Sequence, residues 1–527
     1  MKPSPIAVRL ALWLAVMVAL APRISRAEQR AFNLLTANVE DIQNAVASGA
    51  LTYEQLVRLY LNRIEAYDKQ GPRLNAIISV NPRAIEIARS LDVERRTKGL
   101  RSPLHGIPIA IKDNIDVVGL PATGGNLALA GSYPARDATV ARRLREAGAI
   151  ILAKTNMDEL AMGSQGLSSL GGQILNPYDL TRNPGGSSGG SGVAVNVAFA
   201  TIAVGTETGF SIRSPASNNS IVGIAPSEGL VSRAGVIPIS FTQDRVGAFG
   251  KSVADAAILL TYLRGFDAED LSTTVSLGKV PVKPYTDFLE DRLNGARIGV
   301  LRDLFRKGEQ FQHGSGVIEK QIAAMRSQRA VIVDGLTTGL DLVSLIPDLR
   351  VNYYELRFAF DAYLQRRGPS SPVKSLAELI ASGKYLKSQN LDSRLEQAMK
   401  VETLDADQGY LARLENRKML RQLLIEMMDR HRLDALVYPV KSLGAPLIGA
   451  ADTGDRDNPI SAVTGLPAVA VPAGVDEQGL PLAIEFLGRP FTEPRMIQVV
   501  SAYEGLSRQR VPPKATPHLP GETLSYK

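Results

Sequence analysis

The chain has 527 residues, of which 45% are hydrophobic and 21% are charged, which argues against disorder and allows a large buried core. The absence of cysteine excludes disulfides, thiolate nucleophiles and zinc sites with sulfur ligands. The four histidines show no metal-binding spacing, so we expect no metal and no other cofactor.

The first predicted element is an export leader at residues 1–27. A basic start is followed by an apolar run at residues 10–21, which is too short to span a bilayer comfortably. Residues 25–27 (SRA) form a small-x-small cleavage site that is typical of a secretory signal peptide. Arg23 and Arg26 leave an uncleaved N-terminal anchor open as the alternative.

Cleavage would remove four basic residues and no acid, which lowers the formal net charge from +7 to about +3. Such a small charge on a chain of this length does not favour a nucleic-acid partner. We therefore expect an exported protein, periplasmic or secreted, with no stable membrane association once the leader is removed. The sequence carries no signal for the oligomeric state.

The next elements alternate between helices and strands. Apolar spacing predicts helix over residues 38–67, with a helix start at residues 51–54 (LTYE). Asp137 is predicted to cap a helix that closes at Gly148. Short apolar runs predict buried strands at residues 107–111, 149–153, 201–204, 434–439, 466–472 and 481–488.

This alternation predicts an α/β fold, a large mixed β-sheet covered by helices on both faces. We expect one domain over residues 28–527, with N-terminal helices at 38–100 and a core formed by 103–265 and 434–510. The more charged segment at about 266–430 is predicted to be a helical insertion that caps the site.

Three short motifs carry the chemistry. Lys112 stands in residues 111–114 (IKDN), Ser187 in residues 185–192 (GGSSGGSG) and Ser211 in residues 205–213 (GTETGFSIR). A serine hydroxyl needs a base, and a lysine is a base only when its amine is neutral. Because the apolar run before Lys112 favours burial, its pKa is expected to fall, by up to ~3–5 units when burial is complete.

Together these motifs resemble the amidase signature family, whose catalytic groups are a lysine, a serine held by a cis peptide bond, and a nucleophilic serine. The resemblance is dense over residues 50–265, looser over 434–505 and weak between them, and residues 239–244 resemble the exported peptide amidase branch. It implies that Lys112 takes a proton from Ser187, that Ser187 takes one from Ser211, and that Ser211 forms an acyl-enzyme.

The resemblance also implies supporting roles. The backbone of Thr208, Gly209 and Phe210 would shape the oxyanion hole, Ser188 would support the site, and Glu207 and Arg213 would form a buried pair that braces the turn. One departure is visible, because the family usually has a glycine where Phe210 stands. The phenyl ring would then reshape the acyl pocket or block the oxyanion hole.

The expected reaction is hydrolysis of a small-molecule or peptide amide to an acid and ammonia or an amine. Three alternatives remain open: an ester or carbamate hydrolase with the same three residues, a non-catalytic binding protein with Phe210 in the oxyanion hole, and the amidase component of a tRNA-dependent amidotransferase. The predicted leader argues against the last, since that work is cytoplasmic.

Some residues suggest competing interpretations. Residues 185–189 also fit the G-x-S-x-G nucleophile elbow, but residues 181–184 before them are not a strand. Lys154 is a rival base that lacks the context of Lys112. We predict structural roles for Lys154, His105, Asp113 and Asn114, whereas Met157, Met162, Phe210 and Phe241 could equally line an apolar pocket or belong to the core.

We expect fractionation of expressing cells to recover the chain outside the cytoplasm, with a mature N-terminus at Glu28 measured by intact mass. Leu14→Arg interrupts the apolar run and should leave the full-length chain in the cytoplasm. Recovery of the native chain in the membrane fraction with residues 1–27 attached would instead establish the anchor.

Overall fold

The computed structural model describes residues 30–450 and 458–526, so the predicted leader lies outside the described residues. Its α-helices are α1 (Val39–Ala47), α2 (Tyr53–Arg63), α3 (Ala84–Lys98), α4 (Thr139–Glu146), α5 (Gly189–Asn196), α6 (Arg213–Asn218), α7 (Val253–Leu263), α8 (Glu309–Ser327), α9 (Leu342–Leu345), α10 (Asn352–Arg367), α11 (Leu376–Ala381), α12 (Gln389–Lys400), α13 (Gln408–Arg430), α14 (Ile460–Thr464) and α15 (Glu493–Ser507). Within these two ranges, no helix is both long enough and apolar enough to cross a bilayer.

The strands are β1 (Arg30–Asn33), β2 (Ile77–Val80), β3 (Pro108–Lys112), β4 (Ile150–Thr155), β5 (Leu167–Ser168), β6 (Gly172–Gln173), β7 (Ile202–Glu207), β8 (Val222–Ala225), β9 (Arg245–Gly250), β10 (Arg297–Leu301), β11 (Val331–Leu336), β12 (Ala435–Pro439), β13 (Ala468–Val475), β14 (Pro481–Leu487) and β15 (Thr523–Tyr526). Eleven of them form one sheet in the order β11-β10-β12-β14-β13-β8-β9-β7-β3-β4-β2.

The sheet is mixed. β3 pairs in parallel with β4 and with β7, and α4 and α5 make the crossovers. β9 pairs antiparallel with β7 and β8, and β13 with β8 and β14. Every residue of β3, β4, β7, β9, β12 and β14 is buried, so helices and loops cover both faces of these strands. The predicted α/β fold with a large mixed sheet is confirmed.

The topology gathers chemistry at one edge of the sheet. Lys112 is the last residue of β3 and Glu207 is the last residue of β7. Because β3 and β7 are parallel neighbours, with Ile111 beside Val204, their carboxyl ends meet. Open α/β sheets characteristically carry their sites at such carboxyl ends.

Of the two helix starts predicted in the N-terminal half, one is confirmed and one is wrong. The predicted helix start at residues 51–54 is confirmed: Thr52 Oγ1 accepts from the backbone N–H of Gln55, whose side chain accepts in return from the N–H of Thr52. The predicted cap at Asp137 is wrong. α4 follows the extended residue Ala138, while the Asp137 carboxylate accepts from the backbone N–H of Val118, 2.7 Å away.

The segment at 266–430, expected to be a helical insertion, differs from that expectation in one respect. It contains the helices α8 to α13, but β10 and β11 also belong to the main sheet. The two strands are parallel and α8 connects them, which is a βαβ unit. Their apolar runs are short and β11 is half exposed, so the sequence signal for strands was weak.

Candidate functional site

Lys112 lies at the centre of the candidate site. Its Nζ is 2.7 Å from Ser187 Oγ, 2.9 Å from Thr206 Oγ1 and 3.2 Å from the Thr206 carbonyl oxygen. The side chain is completely buried. A neutral amine has two N–H donors and one lone pair, so it can donate twice to Thr206 and accept the Ser187 proton. The contact between the predicted lysine and the first predicted serine is therefore direct.

Burial holds the pKa of the Lys112 ammonium at about 7, well below its usual value, because a charged amine loses its hydration there. The negative charges of Asp158, Asp244 and Glu207 oppose this effect in part. Burial also raises the pKa values of Asp158 and Asp244, each to about 6. The sequence assigned no role to these two aspartates, although Asp244 ends the 239–244 segment noted for its resemblance.

The glycine loop brings Ser187 to the lysine. The Gly186–Ser187 peptide bond is cis, as the resemblance implies. Gly185 has a φ of +75°, which favours glycine, and a Cβ on Gly186 would lie 1.9 Å from Asp158 Oδ2. The backbone N–H of Asp158 donates to the Ser187 carbonyl at 3.2 Å, which ties the loop to the segment after β4.

Ser188 joins the loop to the two other parts of the site. Its hydroxyl donates to the Thr206 carbonyl at 3.0 Å and accepts from the Thr206 N–H at 3.3 Å. Its backbone N–H donates to the Ser211 carbonyl at 3.3 Å. Ser211 is 4% exposed and lines an open cavity just before α6. The structure thus brings the three motifs of Lys112, Ser187 and Ser211 together.

The turn before Ser211 is held by its carbonyl groups. The three carbonyl oxygens of residues 208–210 accept, in order, from Gln243 Nε2 at 2.9 Å, Arg213 Nη2 at 2.6 Å and the Ser214 N–H at 2.9 Å. Because C=O and the following N–H of a trans peptide point in opposite directions, the N–H groups of residues 209–211 point away from these donors. In the part of the chain that the structure describes, these three N–H groups donate to no protein acceptor. An oxyanion hole needs such an arrangement.

Phe210 does not distort this turn. Neither Gly209 nor Phe210 has a positive φ, so the backbone does not need glycine at position 210. The partly exposed phenyl ring forms part of the cavity wall, with its centroid 6.0 Å from the guanidinium carbon of Arg350. The side chain therefore lines the cavity directly in front of Ser211.

Glu207 and Arg213 form the expected buried pair, and both side chains are completely buried. Arg213 Nε is 3.1 Å from Glu207 Oε1, and the Glu207 carboxylate also accepts from the backbone N–H of Ile212 at 3.0 Å. Although burial opposes ionisation, the two nearby arginines, Arg213 and Arg245, hold the pKa of Glu207 below its usual range. Glu207, which directly precedes the turn 208–211, therefore carries a negative charge.

Three further members of this network come from distant strands. Arg245 on β9 donates to Glu207 Oε1 at 2.5 Å, and Glu485 on β14 accepts from Arg213 Nη1 at 2.7 Å. Tyr438 donates to Glu485 at 2.6 Å. A single carboxylate in the apolar strand PLAIEFL was the sequence signal that would have pointed to Glu485.

The cavity in front of Ser211 is lined by residues from five segments of the chain: Ala161, Met162, Gly163, Ser164 and Gln165; the turn at 208–211; Ile239; Arg350, Asn352 and Tyr353 at the start of α10; and Asn390 and Arg394 of α12. Met162 and Phe210 line the cavity as one interpretation of the sequence had it. Met157 belongs to the core instead, and Phe241 is 44% exposed beside a neighbouring groove.

The remaining candidates have structural contacts. Lys154 Nζ lies 3.2 Å from Asp113 Oδ1 and donates to the Pro121 carbonyl at 2.8 Å, so its amine is paired with a carboxylate. Asp113 also accepts from the N–H of Thr123. His105 is buried, with Nε2 3.0 Å from the Leu91 carbonyl oxygen. These contacts agree with the predicted structural roles of Lys154, Asp113 and His105.

A family model, related sequences and solved structures all match this chain over most of its length. The model of the family described as Amidase matches residues 55–497. A probable amidase of Arabidopsis thaliana is 36% identical, with 92% of each chain covered. A component of the glutamyl-tRNA(Gln) amidotransferase of Prochlorococcus marinus is 31% identical over 88% of this chain and 96% of its own. The crystal structure of a peptide amidase from Stenotrophomonas maltophilia superimposes with a TM-score of 0.83 at 38% identity, covering 90% of this chain and 98% of that one.

Arg213→Met should lower the free energy of unfolding by about 3–5 kcal/mol, because the carboxylates of Glu207 and Glu485 stay buried after their shared cation is lost. Chemical denaturation followed by circular dichroism measures the change. Arg58→Met is the control: Arg58 is 49% exposed and paired with Glu54, so its loss should cost about 0–1 kcal/mol. Equal stabilities for the two variants would contradict the bracing role.

Proposed function

The chain belongs to the amidase family and hydrolyses the C–N bond of carboxylic amides. From this premise we propose that Ser211 is the nucleophile. We propose further that Ser187 relays protons and that Lys112 is the base. The observation that carries the proposal is the 2.7 Å contact between the buried Lys112 amine and Ser187 Oγ. We further propose that the substrates are C-terminal amides of peptides and that the enzyme acts outside the cytoplasm.

In the first half-reaction, the Ser211 hydroxyl gives its proton to Ser187 Oγ while Ser187 gives its own proton to Lys112 Nζ. Ser211 Oγ then bonds to the amide carbonyl carbon, and the carbonyl oxygen becomes an oxyanion. Collapse of this intermediate breaks the C–N bond, and the proton returns along the same path to the departing nitrogen. Ammonia or an amine leaves, and an ester of Ser211 remains.

Water completes the second half-reaction. It loses a proton to the same relay and attacks the ester carbonyl, which releases the acid and restores Ser211. The N–H groups of residues 209–211 supply the oxyanion donors in both halves, and removal of one such donor typically costs roughly 2.7–4 kcal/mol. The oxyanion is therefore stabilised mainly by backbone groups that the turn holds in place.

The peptide-amide substrate is supported by the similarity to the Stenotrophomonas maltophilia peptide amidase, at 38% identity over nearly the whole of that chain. The predicted leader favours the same assignment, because work on extracellular peptides needs export. The cavity in front of Ser211 is open, so an extended substrate can reach the nucleophile from the side of α10 and α12.

Ser211→Ala should lower amide hydrolysis by about 10⁴-fold or more, because no other group can form the acyl-enzyme. The measurement is release of ammonia and amine from a panel of small aliphatic amides, aryl amides and peptide C-terminal amides. Ser327→Ala, an exposed serine on α8, is the matched control and should keep native activity. A fluorophosphonate should label Ser211, as mapped by peptide mass spectrometry.

Full activity of Ser211→Ala would remove the proposed nucleophile. Absence of activity in the native protein across the panel, together with no fluorophosphonate labelling, would favour the non-catalytic alternative. Preference for ester or carbamate substrates with Ser211 labelled would keep the mechanism and change the substrate class.

The kcat/KM of the native enzyme should rise with pH to a plateau, with a midpoint near the Lys112 pKa of about 7, since only the neutral amine accepts a proton. Below the midpoint we expect about a tenfold loss per pH unit. Asp158→Asn removes a negative charge that raises the Lys112 pKa, so the midpoint should move to lower pH. A pH-independent rate between about pH 5 and 9 would exclude Lys112 as the base, and loss of the inflection in Asp158→Asn would assign it to Asp158.

A further inference from the structure

Gln243 connects the turn before Ser211 to the opposite wall of the cavity. Its side chain is 2% exposed. Nε2 donates to the Thr208 carbonyl at 2.9 Å, and Oε1 accepts from the backbone N–H of Val351 at 2.7 Å. Since a carbonyl oxygen can only accept and an N–H can only donate, these partners determine which end of the amide is which. Val351 directly precedes α10, the helix that begins with the cavity residues Asn352 and Tyr353.

The Thr208 carbonyl is a sensitive place for this contact. It belongs to the same peptide plane as the Gly209 N–H, which points the opposite way, toward the position of the oxyanion. Rotation of that plane would misdirect the first donor of the oxyanion hole. Gln243 is the donor that holds the carbonyl, so it also sets the direction of the Gly209 N–H.

The neighbours of Gln243 reinforce the same connection. Asp244 accepts from the Thr208 hydroxyl at 2.5 Å and from the backbone N–H groups of Ile239 and Ser240 at 2.8 and 2.9 Å. The fully buried Glu355 of α10 accepts from Ser240 Oγ, and at 3.1 Å from the Thr242 N–H. The segment 239–244 is therefore fixed at one end to the turn and at the other to α10.

The same carboxylate extends the connection to the next long helix. Tyr410 of α13 donates to Glu355 Oε1 at 2.7 Å. Both α10 and α13 belong to the segment 266–430, which contains the helices α8 to α13. The helix α10, whose first residues line the cavity in front of Ser211, is thus joined by hydrogen bonds both to α13 and, through Gln243, to the turn 208–211.

We propose that Gln243 is a positioning residue that couples the substrate-side wall at the start of α10 to the oxyanion turn. The inference rests on the proposed function, because it assigns the turn 208–211 to oxyanion binding. Substrate contacts along Asn352 and Tyr353 hold α10 in place, and Gln243 carries that position to the Thr208–Gly209 peptide. Its effect appears in the transition state more than in substrate binding, since the oxyanion exists only there.

The test replaces Gln243 in two ways. Gln243→Met removes both hydrogen bonds at similar volume. Gln243→Glu keeps an acceptor for the Val351 N–H but loses the donor to Thr208. We expect kcat to fall about 10- to 100-fold in both variants, as small misplacements of catalytic groups cost about 10²-fold, whereas KM stays within about threefold.

An inhibitor pair separates positioning from general damage. A peptide aldehyde forms a hemiacetal with the serine and places an oxyanion in the hole, whereas the matching peptide alcohol does not. We expect both Gln243 variants to weaken aldehyde binding by about the same factor as kcat and to leave alcohol binding nearly unchanged. Gln321→Met is the matched control: Gln321 is 8% exposed and donates to the Ala473 carbonyl at 2.9 Å, on α8 and away from the cavity.

Native kcat and aldehyde affinity in both Gln243 variants would overturn the inference while amide hydrolysis by the native enzyme left the proposed function standing. The inference would also be overturned if kcat and alcohol affinity fell by the same factor and the melting temperature fell as well, because that result would show only structural damage. A native enzyme that hydrolyses no amide would remove the proposed function and this inference with it.

Discussion

The site depends on burying one lysine among oxygens that carry no full charge. The same sheet contains an internal comparison, because Lys112 ends β3 and Lys154 stands on the adjacent β4, and both are completely buried. Lys154 is paired with the Asp113 carboxylate at 3.2 Å, whereas within residues 30–450 and 458–526 the hydrogen bonds of Lys112 Nζ go to the Ser187 hydroxyl and to the hydroxyl and carbonyl of Thr206. Burial lowers the pKa of Lys154 as well, but the Asp113 carboxylate opposes that effect by favouring the ammonium form, and no carboxylate of the described residues is in contact with the Lys112 amine.

The charged side chains that hold the turn 208–211 in place form no direct contact with the Lys112 amine. Glu207, Arg213, Arg245 and Glu485 neutralise one another in a buried network around the start of α6. Removing any one ion from such a network leaves an unpaired charge in a medium of low dielectric constant, which is strongly destabilising. The Glu207 charge therefore braces the turn while its influence on the Lys112 amine is outweighed by burial. The charged network holds the turn in place, and the uncharged groups around the Lys112 amine favour its neutral form, which is the form that acts as a base.

Predictions that rest on neighbouring residues were mostly confirmed, with the cap at Asp137 as an exception, whereas contacts between distant segments were not predicted. Lys112 at the end of a strand and the helix start at Thr52 depend on residues close together in the chain, whereas the Glu207–Arg213 pair was implied by the resemblance; the structure contains all three. Glu485 meets Arg213 across 272 residues, and nothing near either residue identifies the other. The strands β10 and β11 were missed for a different reason: Gly299 interrupts the apolar run of β10 (RIGVL), and β11 is half exposed at the sheet edge, so its apolar pattern is faint.

Position 210 shows why this architecture tolerates change beside its most constrained atoms. The turn 208–211 is held by its carbonyl groups, from Gln243, Arg213 and the Ser214 N–H, so its shape does not depend on the side chain at 210. A phenyl group there can project into the cavity and stack near Arg350 without altering the backbone that carries the N–H donors. Because the hydrogen bonds to its carbonyl groups hold the turn 208–211, the side chain at position 210 can vary to suit the acyl group of the substrate. Substrate preference can then change while the backbone N–H groups of the oxyanion site stay in the same place.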